Sequence, residues 1–151
     1  MKNENLYNSN SEARQILFFG GLMLFLSLLS GFTVHFALAP RLALGSHTVG
    51  LLQGAILIAI AGAWHLLNAS PNYLKIVKYT LLIGFYANWV AYQLAGLWSA
   101  ARNNFPIYGK DMPEGAAQWQ NLTVTVLGLL SGLILVSAVL IALAAVKKNN
   151  E

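Results

Sequence analysis

Four stretches of the sequence, about 16–39, 46–67, 76–98 and 122–146, each hold 20 or more consecutive residues without a lysine, arginine, aspartate or glutamate. A bilayer core of roughly 30 Å needs about 20 helical residues to cross it, so each stretch is long enough to span. Spanning backbone must satisfy its own hydrogen bonds, which leaves helices or a closed barrel. These runs lack the alternation of barrel strands. The composition agrees, with 57% hydrophobic and only 9% charged residues where soluble domains carry about a quarter charged. The predicted fold is an all-α integral membrane bundle of four transmembrane helices. One domain, residues 14–148, is expected between a polar N-terminal tail, 1–13, and a polar C-terminal tail, 149–151.

The charges lie in loops and ends, so the net charge of +4 forms no nucleic-acid patch and reads through the positive-inside rule. The N-terminus, second loop and C-terminus hold Lys2, Arg14, Lys75, Lys78, Lys147 and Lys148. The first and third loops hold Arg41, Arg102 and Lys110. Six against three predicts both termini in the cytoplasm, with the long third loop facing outward. The first segment ends in a small-residue "ALA" but exceeds the roughly 7–15 residues of a signal-peptide core, so it is read as an uncleaved span. The absence of cysteine excludes disulfides, iron–sulfur clusters and thiol nucleophiles.

Polar groups inside a membrane carry the functional question. His47 opens the second segment. It reads either as an interfacial histidine or as a metal or haem-iron ligand. Gly50 and Gly54 share nearly its helical face, a bare strip that admits another helix or a flat cofactor. Gln53 lies about 120° round from His47 and roughly 9 Å deeper. In the third segment Gly84, Asn88, Tyr92 and Gly96 are four apart and line one face, with Gln93 alongside. Tyr92 lies about 9 Å inside Trp98, deep for a belt tyrosine. His35 falls in the same half of the membrane. Three spans thus gather polar side chains under the long loop, a pocket design. His65, near the end of the second segment, reads as interfacial, and Arg102, Asp111 and Glu114 as solvated loop charges.

The runs "APRLALGSHTVGLLQGAILIAIAGAW", "YANWVAYQLAGLW" and "FPIYGKDMPEGAAQWQ" resemble the small four-span membrane isomerases that include hydroxylaminobenzene mutases and styrene oxide isomerases. The likeness runs from about Gly20 to about Leu130. It implies a homotrimer with haem b between subunits and a histidine early in span two as the axial metal ligand, which matches His47. It also implies an amide six residues on and a span-three tyrosine lining the substrate pocket. These match Gln53, a glutamine where the family carries asparagine, and Tyr92. Asn88 would support them.

The activity so implied is isomerisation of a small aromatic substrate taken from the lipid bilayer. A haem iron with one open axial site polarises a substrate oxygen. An aryl hydroxylamine would become an ortho-aminophenol, and an aryl epoxide an aldehyde, with no reductant consumed. The mutase reading is preferred and the epoxide isomerase is its alternative. A bis-histidine electron carrier using His35 and His47 is a further alternative, and a channel or scaffold subunit without pigment is another. The expected location is the bacterial cytoplasmic membrane.

Overall fold

The computed structural model describes residues 2–105 and 107–146; for residues 2–10 and for Asp111 the backbone alone is described. The side chains of Lys2, Lys147 and Lys148 and the tail at 149–151 therefore lie outside the described residues. The architecture is the expected all-α membrane bundle. Helix α1 (Lys2–Ser30) tightens into a 3-10 segment at Gly31–Phe36, and α2 (Pro40–Ala63) does so at Trp64–Leu66. Helix α3 spans Pro71–Trp98. The fourth span is two helices end to end, α4 (Gln118–Leu130) and α5 (Leu133–Val146).

Local chemistry sets these ends. Pro40 and Pro71 stand in the first helical turn of α2 and α3, where a missing N–H costs nothing and the fixed φ suits a helix. Ser70 caps α3 by accepting from the Tyr73 N–H. Ser99 closes it in the left-handed region at φ 53°. Gln120 reaches back to the Ala117 N–H at 2.8 Å, capping α4. Between α4 and α5, the Ser131 hydroxyl donates to the Gly128 carbonyl at 2.6 Å. A Ser–Gly pair of this kind interrupts a helix without ending the span.

Two boundaries differ from the expectation. Helix α1 takes in residues 2–13, read above as a tail. Helix α2 starts at Pro40 instead of Ser46, because a proline at the first turn begins a helix as readily as it ends one. His47 is therefore not in the first turn but about 10 Å along the helix.

Three spans, Ser11–Phe36, Pro40–Leu66 and Gln118–Val146, are long and apolar enough to cross a membrane on their own account. Helix α3 is the polar one, with Lys75, Lys78, Asn88 and Gln93, and it packs against every other helix. Neighbours cover Lys78 fully and Asn88 and Gln93 in part, while Lys75, near the helix start, is exposed. Lys78 is 3% exposed and pairs with Glu12, so it is no loop charge and drops out of the orientation count.

Packing between helices in lipid rests on close fit, not on expulsion of water, and small residues permit it. A Cβ on Gly54 would stand 2.9 Å from the Gly20 carbonyl oxygen, which marks the α1–α2 crossing. A Cβ on Gly96 would meet the Ala43 backbone nitrogen at 2.6 Å. There the Ala39 N–H also donates to the Gly96 carbonyl at 2.9 Å. Backbone cannot yield as a side chain does, so Gly96→Ala is expected to destabilise by about 1–3 kcal/mol. Thermal unfolding in detergent measures this, and an unchanged midpoint contradicts it.

The third loop is not a loose lid. Met112 is buried in one apolar cluster with Leu42, Ala91 and Ala95. Ser99 donates to the Pro113 carbonyl, and the Ala101 N–H to Asn121, each at 2.7 Å. Arg102 and Glu114 pair on its surface at 2.8 Å, 42% and 88% exposed, in line with the reading of solvated charges. The Asp111 side chain lies outside the described residues.

Candidate functional site

The first span carries hydroxyls three apart, Ser27, Ser30 and Thr33, the first two in the last turn of α1 and Thr33 in the 3-10 segment that follows. In an apolar helix a hydroxyl bonds to the carbonyl one turn back. Ser30 donates to the Ser27 carbonyl at 2.7 Å and Thr33 to the Ser30 carbonyl at 2.6 Å. The same Ser27 carbonyl takes the Nδ1 of His47 at 2.6 Å. A carbonyl only accepts, so His47 must donate from Nδ1. The neutral ring then carries its lone pair on Nε2, the form in which histidine binds a metal. The ring is half-buried and lies over Gly31, where a Cβ would stand 3.2 Å from Nδ1.

The strip beside His47 is filled from within the chain. A Cβ on Gly50 would fall 1.9 Å from the Ser27 hydroxyl oxygen and 2.5 Å from the Trp89 indole. On Gly54 it would meet Leu24 at 2.8 Å. Of the two uses expected for Gly50 and Gly54, helix packing is the one found. Within one chain, α1 and Trp89 take the space directly beside both glycines.

Gln53 is 6% exposed, and its side-chain oxygen has no hydrogen-bond partner among the described residues. By helical position it lies close to Ser46, which bonds to α3, and about 120° round from His47. An unpaired buried carbonyl costs about 1–3 kcal/mol. Gln53→Met, close in volume, is therefore expected to raise stability by about 1 kcal/mol while lowering turnover, a trade common at active sites. Parallel melting and rate measurements check it, and a variant that loses both stability and turnover contradicts it.

Tyr92 packs edge-on against Phe105, ring centroids 5.0 Å apart. On its other side a Cβ on Gly45 would be 3.6 Å from its ring. The long loop thus covers Tyr92 directly, and its hydroxyl makes no hydrogen bond among the described residues. Asn88 is half-buried on the same helix. His35 and His65 are exposed, and the His65 ring bonds only the nearby Gly62 carbonyl at 3.0 Å.

Among the described residues no hydrogen bond joins His47, Gln53 and Tyr92, and with α2 beginning at Pro40 Gln53 stands near the middle of its span. Two clefts open elsewhere. One of about 450 Å³ lies between Pro40, Arg41, Tyr108 and Met112. The other, of about 490 Å³, lies between Arg14, Leu17, Ile58 and Gly62. Neither is lined by the three. Among the described residues no three His, Cys, Asp or Glu side chains converge on a metal position; the Nε2 of His47 is a single nitrogen donor whose tautomer would suit a metal.

Sequence reading missed the hydroxyl column on α1, Ser46 and Trp89. Ser46 donates to Gln93 at 2.8 Å, and Gln93 donates to Thr33 at 2.7 Å. The three-residue spacing of 27, 30 and 33 was the available signal, hidden because isolated serines in apolar helices look unremarkable singly.

The sequence profile described as styrene oxide isomerase matches residues 12–146. The chain belongs to that family. The hydroxylaminobenzene mutase HabB of Ectopseudomonas oleovorans is 32% identical over 126 residues, 83% of this chain and 77% of the relative. The hydroxylaminobenzene mutase HabA of the same organism is 36% identical over 92 residues, 60% of this chain and 68% of the relative. No solved structure matches the chain. The family is one of isomerases and its relatives here are mutases, so this member is a membrane isomerase of aromatic compounds.

Proposed function

We propose that this isomerase rearranges an aryl hydroxylamine to the ortho-aminophenol inside the membrane, and that His47 is the residue that would hold a haem b. The observation that carries the reading is the His47 ring, held through Nδ1 by the Ser27 carbonyl so that Nε2 is the donor. The relatives named hydroxylaminobenzene mutases support the substrate class. Bound there, a haem iron supplies Lewis acidity toward a substrate oxygen.

The remaining work falls to the chain. The unpaired Gln53 oxygen is a ready acceptor for a substrate N–H or O–H. The free Tyr92 hydroxyl is a ready donor to a substrate oxygen, and Asn88, a turn away, supports it. Apolar helix faces bring an aromatic substrate from lipid. The α4–α5 span is the most apolar, and only 11% of its most apolar window is buried within one chain. That surface suits the partners of a homotrimer in the bacterial cytoplasmic membrane, with both termini cytoplasmic.

The test is a visible spectrum of protein purified from haem-replete cells, followed by product analysis with phenylhydroxylamine and with styrene oxide. A Soret band and 2-aminophenol are expected. A colourless, inactive preparation overturns the reading. Aldehyde from styrene oxide without aminophenol moves the chain to the epoxide isomerase, the reading that the family's description favours.

A further inference from the structure

The hydrogen bonds around His47 tie three helices into a circuit that closes through the backbone, with the Ser46 hydroxyl also 3.5 Å from the Trp89 carbonyl. Thr33 spends its hydroxyl hydrogen on the Ser30 carbonyl, so its oxygen can only accept from Gln93. Gln93 must therefore turn its NH₂ toward Thr33 and its carbonyl oxygen toward Ser46, which donates at 2.8 Å. Ser46 is the chain neighbour of His47. His47 in turn donates to Ser27, at the foot of the hydroxyl column that Thr33 tops.

The 3-10 winding of Gly31–Phe36 makes this circuit close. At three residues per turn the residues at i and i+3 eclipse, which stacks Thr33 over Ser30. At 3.6 residues per turn each residue advances about 20° less. Thr33 would then swing about 60° off the column and off Gln93. The same winding places Gly31 flat against the His47 ring.

We propose that Gln93 is a positioning residue for His47. By bridging Ser46 and Thr33 it holds the end of the first span in its 3-10 winding, which backs the ring with Gly31 and keeps the Ser27 carbonyl on Nδ1. His47 is thereby locked as the Nδ1–H tautomer with Nε2 presented as donor. This rests on the reading of His47 as the functional ligand. Gln93 touches neither substrate nor ring and acts through the helix between them.

The experiment uses full-length protein labelled with ¹⁵N in its histidine rings, the His47 signals being assigned by their loss in His47→Ala. Wild type is expected to show one neutral tautomer at His47. Gln93→Leu removes both bridges and is expected to show a mixture of the two neutral tautomers. Its affinity for added hemin should fall about 10-fold or more, the usual effect of losing an outer partner of a metal-bound histidine. Thr33→Val, which breaks only the α1 end, should show the same mixture, and Thr33→Ser should restore the single form.

A His47 signature and hemin affinity unchanged in Gln93→Leu and Thr33→Val overturn the proposal. If Gln93→Leu does not fold, the Val and Ser variants at Thr33 decide it alone. Wild type that binds no hemin overturns the haem reading of the preceding subsection, while the tautomer signature still decides the role of Gln93.

Discussion

Replacing His47 by alanine is expected to reduce isomerisation by about a thousandfold and to strip bound haem, while leaving the bundle folded. Lewis-acid stabilisation of the reacting oxygen is worth several kcal/mol, and each 1.36 kcal/mol is tenfold in rate. Folding should survive because the ring is only half-buried, and its one hydrogen bond goes to a carbonyl that also accepts from Ser30. The loss should appear in kcat with little change in KM, since an interaction confined to the transition state is removed. Near-wild-type turnover in a haem-free His47→Ala protein contradicts the assignment. A loss of helical signal and of turnover together would make His47 a structural residue.

The largest stability effect is expected at Lys78. Its ammonium is buried in α3, pairs with Glu12, donates to Gln15 at 2.7 Å and stands 4.5 Å from the Tyr79 ring centroid. Removing one partner of a buried pair strands the other charge, typically at a cost of 3–5 kcal/mol. Lys78→Met is expected to cost that much in detergent unfolding. The double variant Lys78→Met with Glu12→Gln removes both charges and should recover most of it, because apolar replacement of a buried pair is close to neutral. A double variant no better than the single one shows that Glu12 is not the group left stranded.

The span count, the α-helical class and the membrane setting were legible because they follow from length and from the absence of charge, which no packing detail can reverse. The family followed from ordered local runs around His47 and Tyr92. Two particulars were not legible. Lys78 looked like a loop charge because its partner Glu12 lies 66 positions away in a segment read as a tail, and no local pattern announces that pairing. What packs on Gly50 and Gly54 within the chain was hidden because a helical wheel shows that a face is bare but not what fills it. Only the crossing of α1, with Ser27 and Leu24 on the facing turns, decides that. His47 was found for its chemistry, whereas its restraints, Ser27 and Gln93, lie on other helices and look ordinary in sequence.

Helix α3 as the common contact of the bundle has a consequence for biosynthesis. The circuit around His47 draws only on residues 27–93, so it is complete once the third span has left the ribosome. The α4–α5 span packs onto α3, where the Tyr73 hydroxyl donates to the Leu140 carbonyl at 2.8 Å, but it contributes no bond to the circuit around His47. Folding begins as segments emerge, so the part of the molecule that holds His47 is in place before the last span. The last and most apolar span then has most of its surface free to meet lipid or a neighbouring chain.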